Sequence, residues 1–233
     1  MASAPAPAPG ARYGDVDFWR ASAPRVLEQP VEWYADANGL KPLLARHLAY
    51  GDNILVVGPG ASALHERLYD GGYRGLTVVD AADEVLDLWR ARAEGRAVKF
   101  EKADVVQGLG YEHYSYNAIV DKASRGGRGT IDCLLCRDVP HGEADARAAL
   151  RHLHAALRAP GTLLLVSHSP PEVRLPLLRC CEWESIEAKV LTPPPLADVA
   201  AGRSAAPVIQ DAVGRGAALD AAAAYLYVCR KPY

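Results

Sequence analysis

The feature that most constrains this chain is a repeated change of hydrophobic period. Short, mainly apolar runs occur at Ile54-Leu55-Val56-Val57, Leu76-Thr77-Val78-Val79, Tyr116–Val120 and Thr162-Leu163-Leu164-Leu165-Val166, and Val98–Glu101 reads as one more strand. They alternate with segments whose apolar residues recur every three or four positions: Leu64 and Leu68; Val85, Leu88 and Trp89; Ala146, Leu150, Leu153 and Leu157. The runs read as strands buried on both faces, and the periodic segments as helices with one apolar side. Such alternation implies right-handed crossovers and a mostly parallel sheet with helices on both faces, an α/β fold. Leu40, Leu43, Leu44 and Leu48 predict one more helix ahead of the first strand, ending near Tyr50-Gly51.

The pattern breaks after the fifth strand. Trp183–Leu191 and Ala223–Cys229 read as strands with no helical segment between them, which predicts an antiparallel final strand. The intervening residues 193–216, rich in Ala, Pro and Gly, read as a flexible surface excursion within a single domain spanning residues 13–233. Met1–Gly10 is an Ala/Pro repeat without an apolar core or a basic residue, so residues 1–12 read as a disordered tail and not as a signal peptide.

Composition narrows the function classes. With 26 Lys+Arg against 28 Asp+Glu, the chain lacks the basic excess that captures a phosphate backbone, so no nucleic acid partner is expected. No apolar run approaches the roughly 20 residues that span a bilayer, so no membrane insertion is expected. Five cysteines in no framework spacing read as thiols of a reducing compartment, the cytoplasm. Cys133 and Cys136 with His141 lack a second ligand pair at zinc spacing, so no metal is expected; they read instead as one apolar helix face.

In an open α/β sheet, ligands sit beyond the carboxyl ends of the strands. Gly58-Pro59-Gly60-Ala61-Ser62 follows the first strand and opens a helix, where glycines let a ligand approach the backbone. Asp80 ends the second strand about 20 residues beyond the glycines, the spacing at which a carboxylate accepts from ribose hydroxyls. Asp104, with Val105 beside it, follows the third strand and is placed to accept from an adenine amine. Asp121 ends the fourth strand near the switch point and reads either as a reacting group or as an anchor for loop amides. Gly58-x-Gly60-x-x-Ala63 also fits a dinucleotide fingerprint. These features alone do not separate two adenosine-containing cofactors, but the closing pair of late strands, with no second mononucleotide half, resembles the seven-stranded S-adenosylmethionine-dependent methyltransferases more than an NAD protein.

The chain resembles the eukaryotic methyltransferase-like family that includes the lysine methyltransferases of translation elongation factor 1-alpha. The resemblance is carried by Phe18-Trp19-Arg20, Glu32-Trp33-Tyr34, Ile54–Leu64, Leu68-Tyr69-Asp70-Gly71-Gly72-Tyr73, Val79-Asp80 and Val120-Asp121-Lys122. It implies a Rossmann-like, seven-stranded methyltransferase sheet that binds S-adenosylmethionine. It also implies an acceptor that is a protein lysine or N-terminal amine, with elongation factor 1-alpha as substrate. The cofactor residues it implies are Trp33, Gly58, Gly60, Ser62, Asp80, Asp104, Val105 and Asp121; Asp121 and Tyr34 would orient and desolvate the acceptor amine. The family pattern runs from Asp-Lys directly into Gly-Thr-Leu-Asp, whereas here a Gly/Arg-rich stretch, residues 123–129, follows Lys122, and Pro59 and Ala61 depart from the usual glycine turn. A catalytically inactive domain acting as scaffold or subunit of a larger assembly is the alternative.

Overall fold

The computed structural model describes residues 13–28, 37–110, 115–122, 129–138, 140–192, 208–211 and 224–233. The expected tail at residues 1–12, together with Trp33, Tyr34 and residues 123–128, lies outside the described residues. The strands are β1 (Asn53–Val57), β2 (Gly75–Asp80), β3 (Lys99–Lys102), β4 (Tyr116–Lys122), β5 (Leu157–Ser167), β6 (Ser185–Thr192), β7 (Val208–Asp211) and β8 (Ala224–Lys231). They form one sheet in the order β3-β2-β1-β4-β5-β8-β6-β7. The pairs β1–β2, β2–β3, β1–β4 and β4–β5 are parallel, while β8 inserts antiparallel between β5 and β6.

The sheet expected from the alternating periods and the late antiparallel strand is therefore present. One correction falls within residues 193–216: β7 pairs antiparallel with β6 at Lys189↔Asp211 to Thr192↔Val208. Its four residues sit among Ala, Pro and Gly and fall below the length at which alternation is readable.

Helices cover both faces: α1 (Val16–Glu28), α2 (Ala37–Leu44), α3 (Leu64–Asp70), α4 (Asp83–Arg92), α5 (Thr130–Leu134), α6 (His141–Ala156) and α7 (Pro171–Leu178). Strand alternation sorts the core into two layers. Leu55, Val57, Ile119, Leu163, Leu165 and Tyr227 face Ala146, Leu150 and Leu153 of α6. Ile54, Val56, Val78, Val120, Leu164 and Leu226 face Leu40 and Leu43 of α2 and Leu64 and Leu68 of α3. Each of these fully buried side chains contributes about 1.5–3 kcal/mol relative to exposure.

Two boundaries differ from the periodic reading. Helix α2 stops at Leu44, and bonds from the amides of Arg46, His47 and Leu48 to the carbonyls of Leu43 and Leu44 make a tight turn that still buries Leu48. Leu157 begins β5, pairing with Tyr116, instead of ending α6. Among the described residues no helix is long and apolar enough to cross a membrane, and all five cysteines are free thiols.

Candidate functional site

A cleft opens at the carboxyl ends of β1, β2 and β3 and encloses roughly 640 Å³, its open mouth included. It lies where the chain switches direction: β1 has β2 on one side and, after a long crossover, β4 on the other. Tyr13, from the segment entering α1, and Val16 and Trp19 of α1 itself close one side.

The turn after β1 forms its floor. Gly58 and Gly60 have φ of +52° and +49°, a region that L side chains rarely adopt. A Cβ at Gly58 would overlap the Thr130 hydroxyl. Two anchors hold the turn: the Gly58 amide donates to the Val79 carbonyl at 2.8 Å, and the fully buried Trp89 indole donates to the Gly60 carbonyl at 2.8 Å. Behind Trp89, the His65 ring meets it edge-on at 4.6 Å; burial pushes this imidazole down to about 3, so it is neutral. Trp89→Phe is expected to keep the ring in place but orphan the Gly60 carbonyl. The cost is about 1–3 kcal/mol, read by calorimetry as a lower melting temperature.

Asp80 stands opposite the turn. Its carboxylate accepts the Ala82 amide at 2.9 Å. Burial pushes it up to about 6, while bonds from the amides of Ala82, Ala81 and Gly60 hold it from going further. The Gly60 bond joins the glycine turn to the carboxylate, the pair that the sequence spacing linked. Asp104 and Val105 line the same cleft; Asp104 Oδ1 accepts the Val106 amide at 2.9 Å, closing a small turn.

Two residues expected at the cofactor are not on the cleft wall. Ser62 is buried beneath the turn, its hydroxyl accepting the Leu64 amide at 3.3 Å and the Lys122 ammonium at 3.4 Å. Asp121 is fully buried, and its two oxygens accept the amides of Thr130 at 2.7 Å and Ile131 at 3.0 Å. Burial pushes its carboxyl up to about 6, against those two bonds. Of the two sequence readings, this geometry is that of the anchor: Asp121 ties the end of β4 to the start of α5. A Cβ on Gly129 would lie 2.7 Å from the Asp121 oxygen, so a glycine is needed there. The Gly129-Thr130-Ile131-Asp132 segment thus meets Asp121 although residues 123–128 intervene.

Several contributors escaped sequence reasoning. Trp89 was legible only as a helix-face residue. Arg137, whose guanidinium donates to the Gly14 carbonyl at 2.6 Å and pairs with Asp145, fastens the cleft's N-terminal wall to the end of α5. Cys133 is buried on α5, but Cys136 is exposed beyond its end, so the two do not share a helix face.

Strand order and cleft define the class: the Rossmann-like fold of the S-adenosylmethionine-dependent methyltransferases. The N-methyltransferase NodS from Bradyrhizobium japonicum, solved with S-adenosyl-L-homocysteine, superposes with a TM-score of 0.58 at 18% identity, covering 92% of this chain and 99% of that one. The [4+2]-cyclase SpnF superposes with a TM-score of 0.58 over 98% of this chain, so the likeness establishes fold and not reaction. In sequence, the chain is 35% identical over 128 residues to "eEF1A lysine and N-terminal methyltransferase" of Danio rerio, covering 54% of this chain and 18% of that protein. It is 33% identical over 125 residues to "EEF1A lysine methyltransferase 4" of Bos taurus, covering 53% and 46%. These relatives bear out the resemblance read from the motifs. The chain spans less than half the length of either relative, and no family model matches it.

Proposed function

We propose that the chain is an S-adenosylmethionine-dependent methyltransferase acting on a protein amine, a lysine or an N-terminus, with elongation factor 1-alpha as first candidate substrate. The observation that carries this reading is the juxtaposition of the positive-φ glycine turn, the Gly60 amide and the Asp80 carboxylate in one cleft.

The residues present fit the cofactor. A side chain at Gly58 would collide with Thr130 on the cleft wall, Asp80 offers acceptors suited to ribose hydroxyls, and the apolar Ala81, Ala103 and Val105 line the cleft together with Asp104. When bound, the cofactor supplies a sulfonium methyl as electrophile. The chain's own work is to position the acceptor amine and exclude water, worth several kcal/mol of barrier. We assign Asp121 to positioning, through α5, and keep Trp33 at the cofactor and Tyr34 at the acceptor as part of the proposal. Free thiols support a cytoplasmic setting.

Calorimetry with S-adenosylhomocysteine tests the reading: wild type binds, and Asp80→Ala loses at least tenfold in affinity. Failure of the wild type to bind would sink it and leave the scaffold role. The same titration has a pH signature. Ribose hydroxyls favour ionised Asp80, whose free carboxyl sits at about 6. Affinity therefore rises as pH increases through 6 and levels off above 7, by up to about tenfold per unit; Asp80→Asn flattens the curve. Transfer of labelled methyl to purified elongation factor 1-alpha then tests the substrate.

A further inference from the structure

At the carboxyl end of β3 the cleft wall is irregular backbone. Pairing of β2 with β3 stops at Asp80↔Lys102, and one further bond, from the Ala103 amide to the Asp80 carbonyl at 3.0 Å, ends the sheet's hold on the chain. Asp104 and Val105, the next two residues, both line the cleft. Their positions must be set by something other than the strand ladder.

Local bonds fold this segment but do not anchor it. The amides of Gln107 and Gly108 donate to the Asp104 carbonyl at 2.9 and 3.0 Å, and Gly108, with φ of +111°, turns the chain. All of these would move with the loop. The anchor comes from α6, where His152 Nδ1 lies 2.9 Å from the Val105 carbonyl. A carbonyl only accepts, so Nδ1 carries the proton and donates it. Among the described residues this is the one hydrogen bond that reaches residues 104–108 from another element. Its base is firm, because Ala149, Leu150 and Leu153 fix that part of α6 in the core while the half-buried His152 reaches outward.

The bond acts on a single peptide plane. Between Val105 and Val106 the carbonyl is held by His152, and the amide by Asp104 Oδ1 at 2.9 Å. A planar peptide cannot rotate without breaking both bonds. Two groups on adjacent residues remain uncommitted: Asp104 Oδ2, an acceptor, and the Val105 amide, a donor, neither with a partner among the described residues. The Watson–Crick edge of adenine offers the complement, a donor amine beside a ring nitrogen that accepts.

We propose that His152 is the positioning residue that sets base preference at this cleft. It does not touch the ligand; it holds the Val105–Val106 peptide so that Asp104 and Val105 present acceptor and donor in the order an adenine requires. This inference rests on the cofactor reading and deepens it by naming the side chain on which discrimination depends.

The test is calorimetry with S-adenosylhomocysteine and S-inosylhomocysteine, in which a carbonyl replaces the amine and the ring nitrogen becomes a donor. Wild type should favour the adenine form by about 10–100-fold, the worth of a hydrogen bond to a charged group. His152→Leu keeps the bulk and loses the donor, so it should bind S-adenosylhomocysteine about tenfold more weakly, bind the inosine form much as before, and lose most of the preference. His152→Ala, which leaves the Val105 carbonyl to water, should behave alike and serves if the leucine variant does not fold. His152→Asn carries an N–H at the same branch of the side chain and should restore the preference in large part. A histidine that merely stabilised the fold would, on removal, lower the melting temperature and weaken both ligands equally; that result, or a wild-type preference in the leucine or alanine variant, overturns the role. Wild-type protein that binds both ligands equally overturns it as well and leaves the cofactor reading standing. Wild-type protein that binds neither overturns the cofactor reading and this inference with it.

Discussion

Arg174→Met is expected to lower the free energy of unfolding by about 3–5 kcal/mol at neutral pH, because it strands the fully buried carboxylate of Asp132, the partner of Arg174. In a chain of this size that corresponds to a melting temperature lower by roughly 6–20 °C. Methionine fills most of the volume, so the loss reports charge and not a void. Asp132 keeps Ser167 and His168 as partners, which sets the lower end of the range. In the wild type, burial alone would raise the Asp132 carboxyl, but bonds and charge from His168, Arg174 and Ser167 hold it below its ordinary value. A depressed carboxylate contributes stability above its unfolded pKa and loses it as pH falls through the folded value. Without Arg174 one of the charges that hold the carboxyl down is gone, so it moves up against the same burial and the native state binds a proton more readily than the wild type does. The deficit of Arg174→Met should therefore shrink on moving from pH 7 towards 4, and adding Asp132→Leu should restore at least half of it. A deficit independent of pH, or a double variant no more stable than the single one, would show that the cluster is not held by this pair.

Gly58→Ala is expected to abolish measurable S-adenosylhomocysteine binding while leaving a folded protein. Two penalties coincide there: φ of +52° costs an L residue about 1–2 kcal/mol, and the new methyl overlaps the Thr130 hydroxyl. The turn must shift towards the cleft or α5 must retreat, and either change displaces the Gly60 amide from Asp80. Thr130→Ala in the same chain removes the overlap and leaves the Thr130 Cβ position 3.4 Å away. Affinity should then recover in part, the residue of the loss being the dihedral strain. Thr130→Ala alone should bind normally, and equal loss in single and double variants would remove the steric account.

The central strands β1, β2, β4 and β5 were legible because they are buried on both faces, and an apolar run such as Ile54–Val57 needs no partner to be read. The same logic located Asp80, since residues after such runs must fall at the carboxyl edge, while Asp104 follows the short, partly exposed β3. What spacing could not supply is the direction of a side chain. Ser62 and Asp121 occupy the expected positions along the chain, yet point beneath the turn and into the start of α5. Asp132, His168 and Arg174 lie on three separate elements and meet only after folding, so no local pattern announces them. β7 escaped for the opposite reason: four edge residues carry too little pattern to be distinguished from a loop.

The bridge from Asp121 to Thr130 and Ile131 works as a clasp between β4 and α5. Because those two bonds join the end of β4 to the start of α5 directly, the fit between these elements does not depend on how many residues separate them in sequence, and by loop-closure entropy a doubled separation costs only about 0.6 kcal/mol. Grafting a short Gly-Thr junction directly after Lys122 should accordingly give a chain that still folds and still binds S-adenosylhomocysteine by calorimetry.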